Sequence, residues 1–154
     1  MVRKLELILT YLDPDTNILR EPNKIKKEMK EGDNAFKEAI LFLKNLQPLK
    51  PLQWDENLYH SAQAHVDDIG TKGLCLYQSS DGTEPEDRIA KYGNYEDFLT
   101  ENIDFGPNDT MDVIISLILD DGEEGRPHRK IFLGLSIEKL GLFVVLTKQN
   151  FKCV

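Results

Sequence analysis

"NDTMDVIISLILDDGEEGRPHRKIF", residues 108–132, decides the fold class. From Met111 to Leu119 the stretch is apolar almost all round, with Asp109 or Thr110 as a cap, which predicts a helix buried on most sides. Two adjacent carboxylates, Asp120 and Asp121, and a short glycine-containing loop then lead to His128, between Pro127 and the pair Arg129-Lys130. Beyond it, "IFLGL" (131–135) and "LGLFVVLT" (140–147) read as strands, the second a continuous apolar run suited to the interior of a sheet. A helix of this kind needs cover from other elements. With strands in mixed order around it, the pattern predicts an α/β or α+β layered domain and excludes a bundle or a barrel.

Toward the N-terminus, "DENLYHSAQAHVDDIG" (55–70) predicts a helix with Asp55 as cap, Leu58, Ala62, Val66 and Ile69 as its buried stripe, and Gly70 at its end. His60 and His65 lie about 140° apart around it, so they cannot ligate one ion. His65, at the edge of the stripe, reads as a hydrogen-bonded core histidine. "DNAFKEAILFLKNL" (33–46) predicts a second amphipathic helix after the caps Asp33 and Asn34. "REPNKIKKEMKEG" (20–32) predicts a short helix with Pro22 in its first turn and Gly32 beyond its end, its basic run Asn23–Lys30 forming a solvated face. "LELILTYL" (5–12) fits both periods, and the stop at Asp13-Pro14 favours a helix. "SSDGTEPEDRIAKYG" (79–93) predicts a turn at Asp81-Gly82 and a short helix opened by Pro85, and "TENIDFG" (100–106) an extended segment.

With 154 residues, 40% hydrophobic and 30% charged, the chain suits one domain over 1–154, an N-terminal helical segment (1–33) on a core (34–154). A net charge of -8 repels phosphate backbones, which argues against nucleic acid and anionic membranes as partners. Two cysteines, Cys75 and Cys153, are too few for a disulfide framework and are compatible with a reducing compartment; one bridge between them stays open. "GLCLY" around Cys75 favours an inert thiol over a nucleophile. The N-terminus fails as a signal peptide because Glu6 interrupts its apolar run, and no stretch is long enough for membrane insertion. These features predict a cytoplasmic protein, the alternative being an extracellular one whose leader has been removed.

Three histidines and no cysteine pair at ligand spacing make a multi-histidine zinc site a poor expectation, and the chain has no phosphate-binding glycine loop or nucleophile elbow. The remaining constellation is Glu101, Asp120 or Asp121, and His128.

In order, "TNILREPNKI", "LKPLQWDENLYHSAQAHVDDIG", "SSDGTEPEDRIAKYG", "TENIDFG", "ISLILDDGEEGRPHRKIF" and "KLGLFVV" resemble the successive blocks of the CAP superfamily (SCP domain), in its Cys-poor microbial or protist form. The resemblance implies a three-layer α-β-α sandwich with a central, mainly antiparallel sheet and a cleft of two histidines and two acids that hold a divalent metal. Carried over by position, Glu101 matches one acid, Asp120 the other, shortened from glutamate, and His128 the second histidine. Tyr77 stands where the first histidine belongs, or Gln78 if the register slips by one. A neutral phenol is a poor replacement for an imidazole on a borderline-soft ion, so the resemblance implies a degenerate cleft with no metal and no cofactor. The expected function is a non-enzymatic binding or structural module with protein partners in a larger intracellular assembly. The alternative is a secreted-type protein with a sterol or fatty acyl ligand, or a weak hydrolase.

Overall fold

The computed structural model describes residues 1–95, 99–106, 109–134 and 138–141. In chain order the elements are α1 (Val2–Leu9), β1 (Leu12–Asp13), β2 (Ile18–Leu19), β3 (Lys27–Glu28), α2 (Asp33–Asn45), β4 (Gln53–Trp54), α3 (Glu56–Lys72), α4 (Pro85–Ala90), α5 (Thr110–Leu119), α6 (Pro127–Phe132) and β5 (Lys139–Leu140). The result is a mixed α/β chain. It divides into two compact units, Met1–Pro48 with Ile114–Phe132, and Leu49–Val113 with Leu133–Val154.

In the first unit, Leu5 and Ile8 of α1 are buried one turn apart and pack with Ala35, Phe36, Ala39 and Ile40 of α2. Ile115, Ile118 and Leu119 of α5 add to the same apolar set. Each leucine, isoleucine or phenylalanine of this set contributes about 1.5–3 kcal/mol by leaving water. The helix expected over Leu5–Leu12 forms, but it stops at Leu9 because Leu12 and Asp13 pair with Leu19 and Ile18 across a turn in which Asn17 takes the left-handed conformation (φ 55°).

The helix expected over Arg20–Gly32 does not form. Lys27 and Glu28 pair antiparallel with β2, the Met29 N–H donates to the Asn17 carbonyl, and Asn23 has φ 61°. The competing helix would have put Ile25 and Met29 on one stripe, yet Met29 is buried and Ile25 is 86% exposed. Tertiary pairing overrides the local pattern. Asp33 and Asn34 are not caps either: Gly32 (φ 59°) holds that position against Asn17, where a Cβ would collide, and Asp33 pairs with Lys37 at 2.6 Å. Nor is "IFLGL" a strand, since Ile131 and Phe132 close α6; Leu135, and residues 142–147 of the second expected strand, lie outside the described residues.

In the second unit, Asp55 caps α3 by accepting the Asn57 and Leu58 N–H groups, and Gly73 ends it in the left-handed conformation (φ 66°). Its buried line is Ser61, His65 and Ile69, with Leu58, Ala62 and Val66 half-buried beside it. β4 and β5 pair in parallel, and Gly141 then passes so close to the backbone of Leu58 and Tyr59 that a Cβ would overlap it. Gly82 (φ 86°) completes the turn before α4, which opens on Pro85. Asp68 of α3 anchors that turn by accepting the Ser80 N–H (2.7 Å) and hydroxyl (2.6 Å). Cys75 is disulfide-bonded; the other cysteine, Cys153, lies outside the described residues.

Candidate functional site

Asp120 and His128 come together in the first unit. Asp120 ends α5 with φ 50°, a conformation that aspartate tolerates better than most residues. Its buried carboxylate thereby faces the start of α6, where it accepts the N–H groups of His128 (2.9 Å) and Arg129 (3.2 Å) and the ring Nδ1–H of His128 (2.7 Å). One side chain thus satisfies two orphan donors of a helix N-terminus and fixes an imidazole.

Asp121, its neighbour, serves another segment by accepting the N–H groups of Lys30 (2.7 Å) and Glu31 (2.9 Å). Glu31 answers by accepting from the Gly122 N–H (2.6 Å) and from Arg126, two 2.5 Å contacts. Arg126 also donates to Glu38 (2.7 Å) and to the Asp120 carbonyl (2.7 Å). The Arg126 guanidinium, then the Gly122 N–H, holds the Glu31 carboxyl down to about 2. Arg129, fully buried, donates to the Ile118 and Leu119 carbonyls at the end of α5 and to Glu38 (3.0 Å), and lies 5.5 Å from the centre of the Phe42 ring. The loop after α5 is a latch of reciprocal carboxylate and guanidinium contacts. Beside it lies an open hollow of about 660 Å³ lined by Glu31, Glu38, Phe42 and the two arginines, whose charges are already committed to the two glutamates.

Glu101 and Tyr77 belong to the second unit, and both meet Arg88 of α4. The Arg88 guanidinium, 5% exposed, donates to both oxygens of Glu101 (2.8 and 2.7 Å), to the Tyr77 carbonyl (3.2 Å) and to the Ser79 hydroxyl (3.4 Å). The Tyr77 side chain is 44% exposed, and Gln78 donates to Glu84 (2.5 Å). One residue earlier, the Leu76 carbonyl accepts the Nε2–H of His65 (3.0 Å). Burial, followed by the neighbouring Arg88 cation, lowers the His65 pKa, so the ring stays neutral. His65 is buried more deeply than the edge of a stripe implies.

Sequence reasoning missed Arg88, Arg126 and Arg129. Arg88 had one signal, a lone guanidinium directly after the acidic block Glu84–Asp87. For the other two the carboxylate partners, Glu31 and Glu38, lie about ninety residues away, which no local pattern encodes.

The donor set does not suit a divalent metal. Both oxygens of Glu101 already serve a guanidinium, and Tyr77 and Gln78, which the resemblance aligns with the first imidazole, offer only a phenol and an amide. Among the described residues no three His, Cys, Asp or Glu side chains gather as ligands.

A profile of the CAP family, described as the cysteine-rich secretory protein family, matches residues 16–154. The chain belongs to that family. No curated protein and no solved structure matches it.

Proposed function

We propose that this family member works as a non-catalytic binding domain on the three-layer α-β-α frame of its family, its metal cleft having lost its chemistry. The observation that carries the reading is the pair Arg88–Glu101. A carboxylate held bidentately by a buried guanidinium has its charge balanced internally and one acceptor site on each oxygen already taken, which makes it a poor ligand for an ion and a poor base for water. His128 and Asp120 then act as a clasp between two helix ends. Function passes to the surfaces of the domain and to protein partners.

The compartment we favour is an oxidising one, because Cys75 is disulfide-bonded and such bonds are rare where thiols are kept reduced. That choice departs from the cytoplasmic expectation. Zinc titration followed by dialysis tests the main reading: the expected result is well below one ion per chain. Stoichiometric zinc that His128→Ala removes would overturn it, and so would a hydrolytic turnover lost with the same substitution.

A further inference from the structure

Trp54 is the chain's only tryptophan and is 56% exposed. It stands just before Asp55, the cap of α3, and its ring lies 5.5 Å from that of Tyr59, tilted by 43°. Tyr59 is the fourth residue of the helix, so the pair forms a hydrophobic staple, which accounts for an aromatic residue there but leaves more than half of Trp54 uncovered. The backbone on either side is fixed: Gln53 N–H donates to the Glu138 carbonyl and Asp55 N–H to the Leu140 carbonyl, each at 2.9 Å. The indole N–H donates to Glu56 Oε2 (2.8 Å). The Glu56 side chain is 65% exposed, and its other oxygen, Oε1, lies 3.7 Å from the His60 ring Nε2. Lys139 is engaged elsewhere, with Asp55 at 3.2 Å.

We propose that Trp54 and Glu56 form a docking point for a basic side chain, lysine or arginine, of a partner polypeptide. The cation sits over the open indole face and hydrogen-bonds to the Glu56 carboxylate, which retains acceptor capacity beyond the indole bond. An exposed ring alone would accept any apolar group. The carboxylate at its edge and the net charge of -8 select a cation and speed its approach. The proposal rests on the reading of the chain as a binding domain, and it uses none of the residues carried over from the family cleft.

Because Trp54 is the only tryptophan, its emission reports on this point alone. Titrating the intact protein at low salt with a tetralysine peptide should give a saturable emission change, absent with the Nε-acetylated peptide. Glu56→Gln keeps an oxygen for the indole N–H, so the staple survives, and it should weaken binding about two- to fivefold. An unresponsive Trp54, an equal response to the acetylated peptide, an undiminished affinity in Glu56→Gln, or calorimetric binding without an emission change would each overturn the proposal. Failure here with zinc still absent leaves the binding reading standing. Stoichiometric zinc would sink that reading while leaving this titration to be judged by its own result.

Discussion

Each compact unit buries one arginine, and the two are used differently. Arg129 closes a helix: its donors meet two carbonyls of α5 and Glu38, and its plane lies near the Phe42 ring. Outside that latch the buried core of the first unit is apolar, with Leu5, Phe36, Ala39 and Ile118 all buried. Arg88 neutralises an acid: Glu101 takes two of its bonds, its Nε has no partner among the described residues, and its charge acts on the buried His65. The first arrangement is a fully satisfied lock, and the second a polar cluster whose stability depends on charge. The difference teaches that a buried guanidinium has to be judged by the balance of what it faces: two helix-end carbonyls and a single bond to Glu38 make Arg129 structural, whereas a bidentate carboxylate makes Arg88 a counter-ion.

Substitution separates the two most sharply. Arg129→Met leaves the Ile118 and Leu119 carbonyls buried without donors and should cost about 3–5 kcal/mol, seen as a lower urea midpoint. Arg88→Met should cost less, about 2–3 kcal/mol, because Glu101 is 16% exposed and can draw water. Equal losses would break the comparison. Next in size, Asp55→Ala removes the cap of α3 and should cost about 1 kcal/mol, read from faster amide exchange in the first turn of that helix and not in α2.

Acid sharpens the contrast with the smallest perturbation. The folded second unit favours neutral His65, which is faced by Arg88, Glu101 and Asp68, and its pKa lies below 6.5. The unfolded chain therefore takes up that proton first, and the stability this group contributes is present above about pH 6.5 and lost as the pH falls below it. In the first unit Glu31 is held down to about 2 from 4.5, so its contribution is present above about pH 4.5 and lost as the pH falls toward 2. On acidification, exchange in α3 should rise before exchange in α2. Simultaneous loss would show that the two units unfold as one.

What was legible in the sequence followed from short-range physics. The cap at Asp55, the stripe of α2, the turn at Asp81-Gly82 and the proline opening α4 each combine local geometry with a local apolar pattern. The failures share a cause as well. Residues 20–32 have a helical composition, but β2 offered partners for Lys27 and Glu28, and "IFLGL" lost its strand to a helix fixed by Asp120. Of the candidate site, His128 and an acid at 120 or 121 are legible because they share one short stretch, and the family resemblance selects Asp120; of the Arg88–Glu101 pair only the acid is legible.

The paired acids at 120 and 121 carry a consequence of their own. Adjacent residues commit opposite ways, one to the start of α6 and the other to the turn before α2, so this point of the chain works as a ruler. Distance along the backbone there is the specification. The exposed side chains at Glu123, which meets Lys30 at 3.7 Å, and Glu124 can be exchanged at small cost, whereas inserting a single residue between the two aspartates would turn one away from the segment it holds.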